Sequence, residues 1–297
     1  MRRTRFLAPG VLVFLALLSG KAYTLDLHIL GGLGNLAFEP GLEASLGAAG
    51  TRFNPHLFPL GLISLEGKFS ELADFAFTYE RDPLLQNRLL ASVGVHFGAA
   101  KLDFGPFIGL FNGGGQFLNP GVAAALGFEF PGILFGSLEA ASSIGSLAAL
   151  PGEYLQQTGE VSLGFWVPYV VCTLSVNTRA FTQRKSDTLL IKDERTRYQF
   201  RADVFTKNVP YTVYIDLGYQ AVRRSYIPSV GASAGDELKS LYAGFETSFR
   251  VHPAFRLLLG AEMPVYAWGD YPLKGPDRSV FLYEFRMGLI WTLPGKK

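Results

Sequence analysis

Four histidines and one cysteine are all that the 297-residue sequence offers to the commonest nucleophilic and metal chemistry. His28, His56, His96 and His252 stand apart, and none has the H-E-x-x-H spacing that sets two imidazoles around a zinc ion. Cys172 has no second cysteine, so no internal disulfide can form. A hydrolase would have to be built from His28 with Asp26 or His96 with Ser92, and for both histidines the plainer role of a polar group in a hydrogen-bonded network fits better. Gly113-Gly114-Gly115 follows an apolar run but opens no helix, so it is not a phosphate cradle. The sequence therefore reads as non-enzymatic, with no catalytic residue, no metal site and no cofactor.

What remains is the placement of charge. Glu284 and Arg286 lie one residue apart in the apolar tail FLYEFRMGLIWTLPGKK. Alternate residues there separate into Phe281, Tyr283, Phe285, Met287, Leu289 and Trp291 on one side, and a set containing Glu284 and Arg286 on the other. Side chains of a β-strand alternate between its two faces, so this is a two-faced strand.

The ends and composition narrow the class. Arg2, Arg3 and Arg5 precede an uncharged stretch from Phe6 to Gly20, with small residues at Gly20 and Ala22, which reads as a secretory signal peptide over 1–22. Residues 23–297 are then the mature chain, one domain without a linker. Loss of Arg2, Arg3, Arg5 and Lys21 turns the formal +2 into 23 basic against 25 acidic residues, and nothing in that balance points to nucleic acid. The chain is 48% hydrophobic with 34 glycines, yet mean hydropathy is only +0.21, too low for a bundle of membrane helices.

The two-residue period recurs along the chain. It predicts about fourteen strands, at 24–37, 61–69, 73–81, 88–97, 101–112, 120–130, 133–143, 154–166, 169–183, 196–207, 211–224, 239–251, 254–267 and 279–293, with twelve or sixteen if 41–50 alters the pairing. Connections alternate between tight ones, such as 98–100 and 131–132, and longer ones, such as 38–60, 184–195 and 225–238. Most strands meet the about 9–11 residues needed to cross a bilayer at a tilt. The fold class is therefore all-β: a closed antiparallel transmembrane barrel with short periplasmic turns and longer extracellular loops.

Facing follows from energy. An arginine facing lipid at mid-depth costs roughly 2–4 kcal/mol, so Arg179, Arg201, Arg250, Arg256 and Arg286 must face the lumen. On the same faces fall Glu129, Glu139, Glu160, Glu246, Glu262 and Glu284, able to pair with them across neighbouring strands. Glu66, Lys68, Lys101, Asp103, Asp203 and Asp216 complete the expected pore lining. Aromatics such as Phe69, Phe97, Phe130, Tyr211 and Trp291 near the tight turns, with Tyr79, Tyr198 and Phe281 near the loops, would form the two interfacial girdles. A secreted soluble β-sandwich is the competing reading, and it leaves the alternation of turns and loops unexplained.

The last strand resembles the C-terminal assembly signal of bacterial outer-membrane β-barrel proteins, through Arg286-x-Gly288-x-x-Trp291-x-Leu293. Many members of that class end on the aromatic itself, whereas here Pro294-Gly295-Lys296-Lys297 follow. The phenylalanine- and glycine-rich run from Phe104 to Phe111 is similar to spirochaetal members. The resemblance implies insertion into the outer membrane and reading of this strand by the barrel-assembly machinery.

A barrel of this size has room for a lumen, and 38–60 is the segment best able to fold into it. The expected function is a porin-like, monomeric channel for passive diffusion of small hydrophilic solutes, with weak ion selectivity from its near-balanced charges. The alternatives are a hydrophobic-ligand barrel similar to the fatty-acid transporters, suggested by Leu90, Phe107, Phe111 and Tyr214 on the inner face, and a surface adhesin or structural barrel.

Overall fold

The computed structural model describes residues 24–34, 58–82, 84–111, 116–145, 147, 151–205, 211–269 and 284–294. The expected signal peptide, most of the 38–60 connection, the three consecutive glycines and Phe281 lie outside the described residues. Fourteen strands follow one another: β1 (Thr24–Gly34), β2 (Phe58–Lys68), β3 (Ala73–Asp82), β4 (Gln86–Phe97), β5 (Ala100–Leu110), β6 (Leu118–Phe130), β7 (Leu134–Ser143), β8 (Tyr154–Val167), β9 (Val170–Ser186), β10 (Leu189–Phe205), β11 (Tyr211–Pro228), β12 (Ala234–His252), β13 (Phe255–Gly269) and β14 (Glu284–Pro294). Each is paired with its neighbours in sequence, and β1 pairs with β14 from Thr24↔Pro294 to Gly34↔Glu284, all antiparallel. The sheet thus closes as a barrel and leaves no free edge, which is the condition for a sheet in lipid.

The even strand number brings Thr24 and Pro294 to the rim that carries the tight connections. At that rim 98–99 and 168–169 are two-residue turns, with Gly98 and Tyr169 at φ of 62° and 70°. Gly98 takes that conformation without the Cβ clash that makes it costly elsewhere. The opposite rim, the loop side, carries the longest connections together with short ones at 83–85 and 187–188.

Burial runs opposite to that of a soluble protein. Apolar residues on the outer face of mid-strand positions, Leu126, Val161, Leu174, Leu217 and Phe285, are each more than half exposed, while the ionisable Asp82, Arg195, Asp216 and Glu262 are nearly inaccessible. Water would not tolerate so continuous an apolar surface, and acyl chains cover it without cost. This excludes the soluble sandwich, whose apolar face would be the buried one.

Two girdles frame the belt. Phe97, Phe130, Phe165, Tyr211 and Phe249 are exposed on the outside near the turn rim. On the loop side Tyr198, Tyr219, Trp268 and Tyr266 form a chain of rings, with successive centroids 6.0, 5.9 and 5.5 Å apart. Tyr266 and Trp268 join it because β13 shifts register by one residue opposite Leu241–Tyr242, which moves even-numbered positions to the outer face.

Strand ends differ from the sequence reading on the loop side of β9 to β12. The expected charged loop 184–195 is instead the end of β9 and the start of β10, turning at Asp187–Thr188, and 225–238 contributes only 229–233 as a connection. Beyond the apolar belt Lys192 and Glu194 occupy one face of β10 while Asp193 and Arg195 occupy the other. With both faces polar, the strand continues but its hydropathy no longer alternates.

Candidate functional site

One contact identifies the interior. Arg179 on β9 donates from Nη1 to Glu80 Oε1 and Asp82 Oδ2 on β3, both at 2.6 Å. Five strands lie between β3 and β9 one way around the barrel and seven the other, so the bond crosses the lumen. A circular barrel of fourteen strands would have a backbone diameter of roughly 25–28 Å from strand spacing and tilt. An arginine and a carboxylate reaching toward each other span only about half of that. The barrel is therefore flattened, with β3 drawn toward β9 and β10.

The ion pairs extend from this bridge. Arg195 on β10 also reaches Asp82, at 3.4 Å, and Arg88 on β4 binds Glu80 at 2.6 Å and Thr158 on β8 at 3.5 Å. On the far flank Glu262 receives Arg197 at 2.6 Å and Arg286 at 3.6 Å, while Arg286 also binds Glu284 at 3.0 Å. Arg201 is held by Asp203 at 2.8 Å, Glu246 at 3.4 Å and Asp216 at 4.0 Å, and it lies over the Tyr214 ring. Asp216 also accepts from Gln199. Arg224 binds Asp193 through two nitrogens at 2.6 and 2.7 Å. Such bidentate, mostly buried pairs fix side-chain positions more firmly than exposed single contacts do.

The structure places the remaining expected lining residues nearer the turn rim. Lys101 pairs with Asp74 at 3.0 Å and Asp103 at 2.9 Å; Glu66 accepts from Ser64. Glu139 and Glu160 stand opposite each other on β7 and β8, and Glu160 accepts from Asn177 at 2.6 Å. Arg250 and Arg256 stand opposite each other on β12 and β13, where two like charges are tolerable only with water between them. Lys68 ends β2 opposite Asp74, and Glu129 lies at the turn-side mouth with Lys101 and His96. Neither Glu139, Glu129, Arg250 nor Arg256 forms an ion pair among the described residues. The expectation that all the lumenal acids pair across adjacent strands is thus replaced by a mixture: bridges across the lumen toward the loop side, and toward the turn side the Lys101 cluster together with charges that form no ion pair among the described residues.

Sequence reasoning missed Glu80, Asp82, Arg88, Arg195 and Arg197 as a group. The signal was present in the alternation Arg195-x-Arg197-x-Gln199-x-Arg201-x-Asp203, obscured by starting the strand at 196.

Around the bridge the lumen is packed. Leu85, Phe107, Tyr154, Phe181 and Tyr242 are almost wholly buried, and Phe111, Tyr154 and Phe181 form a ring cluster with centroids 5.1 to 5.4 Å apart. Phe107 lies so close over Gly121 that a Cβ there would sit 2.2 Å from its ring. Toward the turn side the wall of β3 to β8 is lined by Ala76, Ser92, Ala123, Ala125 and Ala141, leaving a cavity of about 350 Å³ bordered by Glu66, Asp103 and Glu139.

The two histidine pairs considered from sequence are not hydrogen-bonded. His96 Nε2 instead contacts Asp74 Oδ2 at 2.8 Å, in the network with Lys101. On β14, Arg286 and Gly288 face inward while Trp291 faces outward and stacks on Phe255 at 5.4 Å. Gly288 lets β1 approach: a Cβ there would meet Ile29 O at 2.8 Å.

No protein-family model and no curated protein matches the sequence. Among solved structures, the chain is similar to an outer-membrane channel from Pseudomonas putida F1 at 9% identity, covering 92% of this chain and 96% of that one, with a TM-score of 0.47. A porin refined at 1.8 Å matches at 9% identity over 92% and 100%, with a TM-score of 0.43, and the outer-membrane protein OmpT of Vibrio cholerae at 9% over 92% and 98%, with a TM-score of 0.41.

Proposed function

We propose that this barrel of the outer-membrane type is a channel for the passive diffusion of small hydrophilic solutes, acting as a monomer in the bacterial outer membrane. The supporting observation is the inversion of burial: an apolar belt faces outward, and a closed sheet surrounds an interior lined by ionisable side chains. A lumen of that kind offers solutes polar partners and excludes lipid. Export through the segment at 1–22, and recognition of Arg286, Gly288, Trp291 and Leu293 by the assembly machinery, belong to the same reading.

Of the lumenal aromatic residues that would favour a hydrophobic-ligand barrel, Phe111 packs on Tyr154 and Phe181, Phe107 lies over Gly121, and Tyr214 lies against the Arg201 guanidinium, so each already has a partner within the protein. The channel reading is tested by reconstituting purified, heat-modifiable protein into planar bilayers and counting discrete conductance steps. Folded protein that never conducts, with or without the loop-side closure described below, rules it out.

A further inference from the structure

We propose that the β3–β4 connection is a lid over the loop-side end of the lumen, latched shut across the barrel by Asp82. The inference rests on the channel reading and adds a gate to it.

Asp82 performs two tasks with its two oxygens. Oδ1 accepts from the backbone N–H groups of Leu84 and Leu85, at 2.8 and 2.9 Å, which bends the chain sharply back. Gln86, at φ of 64°, completes the bend in a conformation that non-glycine residues seldom adopt. Oδ2 accepts from Arg179 and Arg195 on the opposite wall. A turn that merely joined two strands at the rim would leave its leucines in water, yet Leu84 is 7% and Leu85 0% exposed. Gln156 of β8 reaches this connection too, donating from Nε2 to Leu85 O and, at 3.3 Å, to Asn87 O. The lid therefore touches β8, β9 and β10, all on the far side of the lumen from β3.

The latch is suited to release. Two charges paired away from water recover their hydration when they part, so the closed and open arrangements differ little in free energy. Arg195 has no ion-pair partner but Asp82 among the described residues, and Glu80 keeps hold of Arg179 when Asp82 lets go.

Asp82→Asn is the discriminating variant, because the amide oxygen still accepts from Leu84 and Leu85 and the bend survives while the charge is lost. In planar bilayers wild-type protein is expected to be closed most of the time, and Asp82→Asn to raise the open probability about tenfold or more at unchanged single-channel conductance. Arg195→Gln is expected to do the same and serves if Asp82→Asn does not fold, as judged by circular dichroism and heat-modifiable migration. A further variant replaces 83–86 with a two-residue turn and removes the lid outright. If that barrel conducts while both folded latch variants gate like wild type, the latch is wrong and the channel stands. If none of the forms conducts, the channel reading falls and the lid with it.

Discussion

The loop-side and turn-side halves of the lumen are lined by the same alternating strands but differ in what fills them. Toward the loops, arginines and carboxylates meet across the barrel, and leucine, phenylalanine and tyrosine side chains occupy the remaining space. Toward the turns, alanine and serine line a cavity of about 350 Å³ bordered by Glu66, Asp103 and Glu139. One half is built like the core of a soluble protein and the other like a vestibule. A closed sheet fixes only which residues point inward; the lengths of those side chains decide whether the interior is solid or open.

Substitutions that attack this difference should rank in effect. Arg179→Ala removes two charge-assisted hydrogen bonds to buried carboxylates, although Arg88 and Arg195 remain on Glu80 and Asp82, and is expected to destabilise the barrel by about 3–5 kcal/mol, read as a lower urea midpoint in lipid vesicles. Placing a charge on the lipid side of the same wall comes next: Leu217→Arg, mid-belt on β11, should cost about 2–4 kcal/mol by the same measurement. Overpacking follows, because the added methyl of Gly121→Ala meets the Phe107 ring, at a cost of about 1–3 kcal/mol. Smallest in stability is a change in the vestibule: Glu139→Lys should move the urea midpoint by less than about 0.5 kcal/mol while shifting the reversal potential in a salt gradient toward anions. An Arg179→Ala barrel as stable as wild type would show that the loop-side half is not a core.

Most of the fold was legible because one force acts on every strand inside the membrane. Lipid penalises each misplaced polar group, so hydropathy alternates wherever a strand lies in the belt, and fourteen strands with their facing could be read from that alone. Above the belt the constraint lapses, and Lys192, Asp193, Glu194 and Arg195 read as a loop although they form β10. The register shift in β13 hid Tyr266 and Trp268 for a related reason, since one extra residue inverts the parity on which facing is read.

The site was less legible than the fold. That Arg179 and Glu80 face inward follows from their positions, but that they touch follows from flattening of the barrel, which no local pattern records. Asp82 was hidden by its place at the end of β3, where a turn residue and a lumenal residue look the same. Its two roles become visible only when β9 and β10 are known to lie opposite.

The assignment of faces is tested most directly by spin labels at neighbouring positions of one strand, Leu174→Cys and Ser175→Cys, each in a Cys172→Ala background in lipid vesicles. A label at 174 should be relaxed by oxygen, which concentrates in the acyl region, and one at 175 by a water-soluble nickel chelate that enters the lumen. Nickel accessibility at 174 with oxygen accessibility at 175, or equal nickel accessibility at both, would contradict a barrel with lipid outside and charge within.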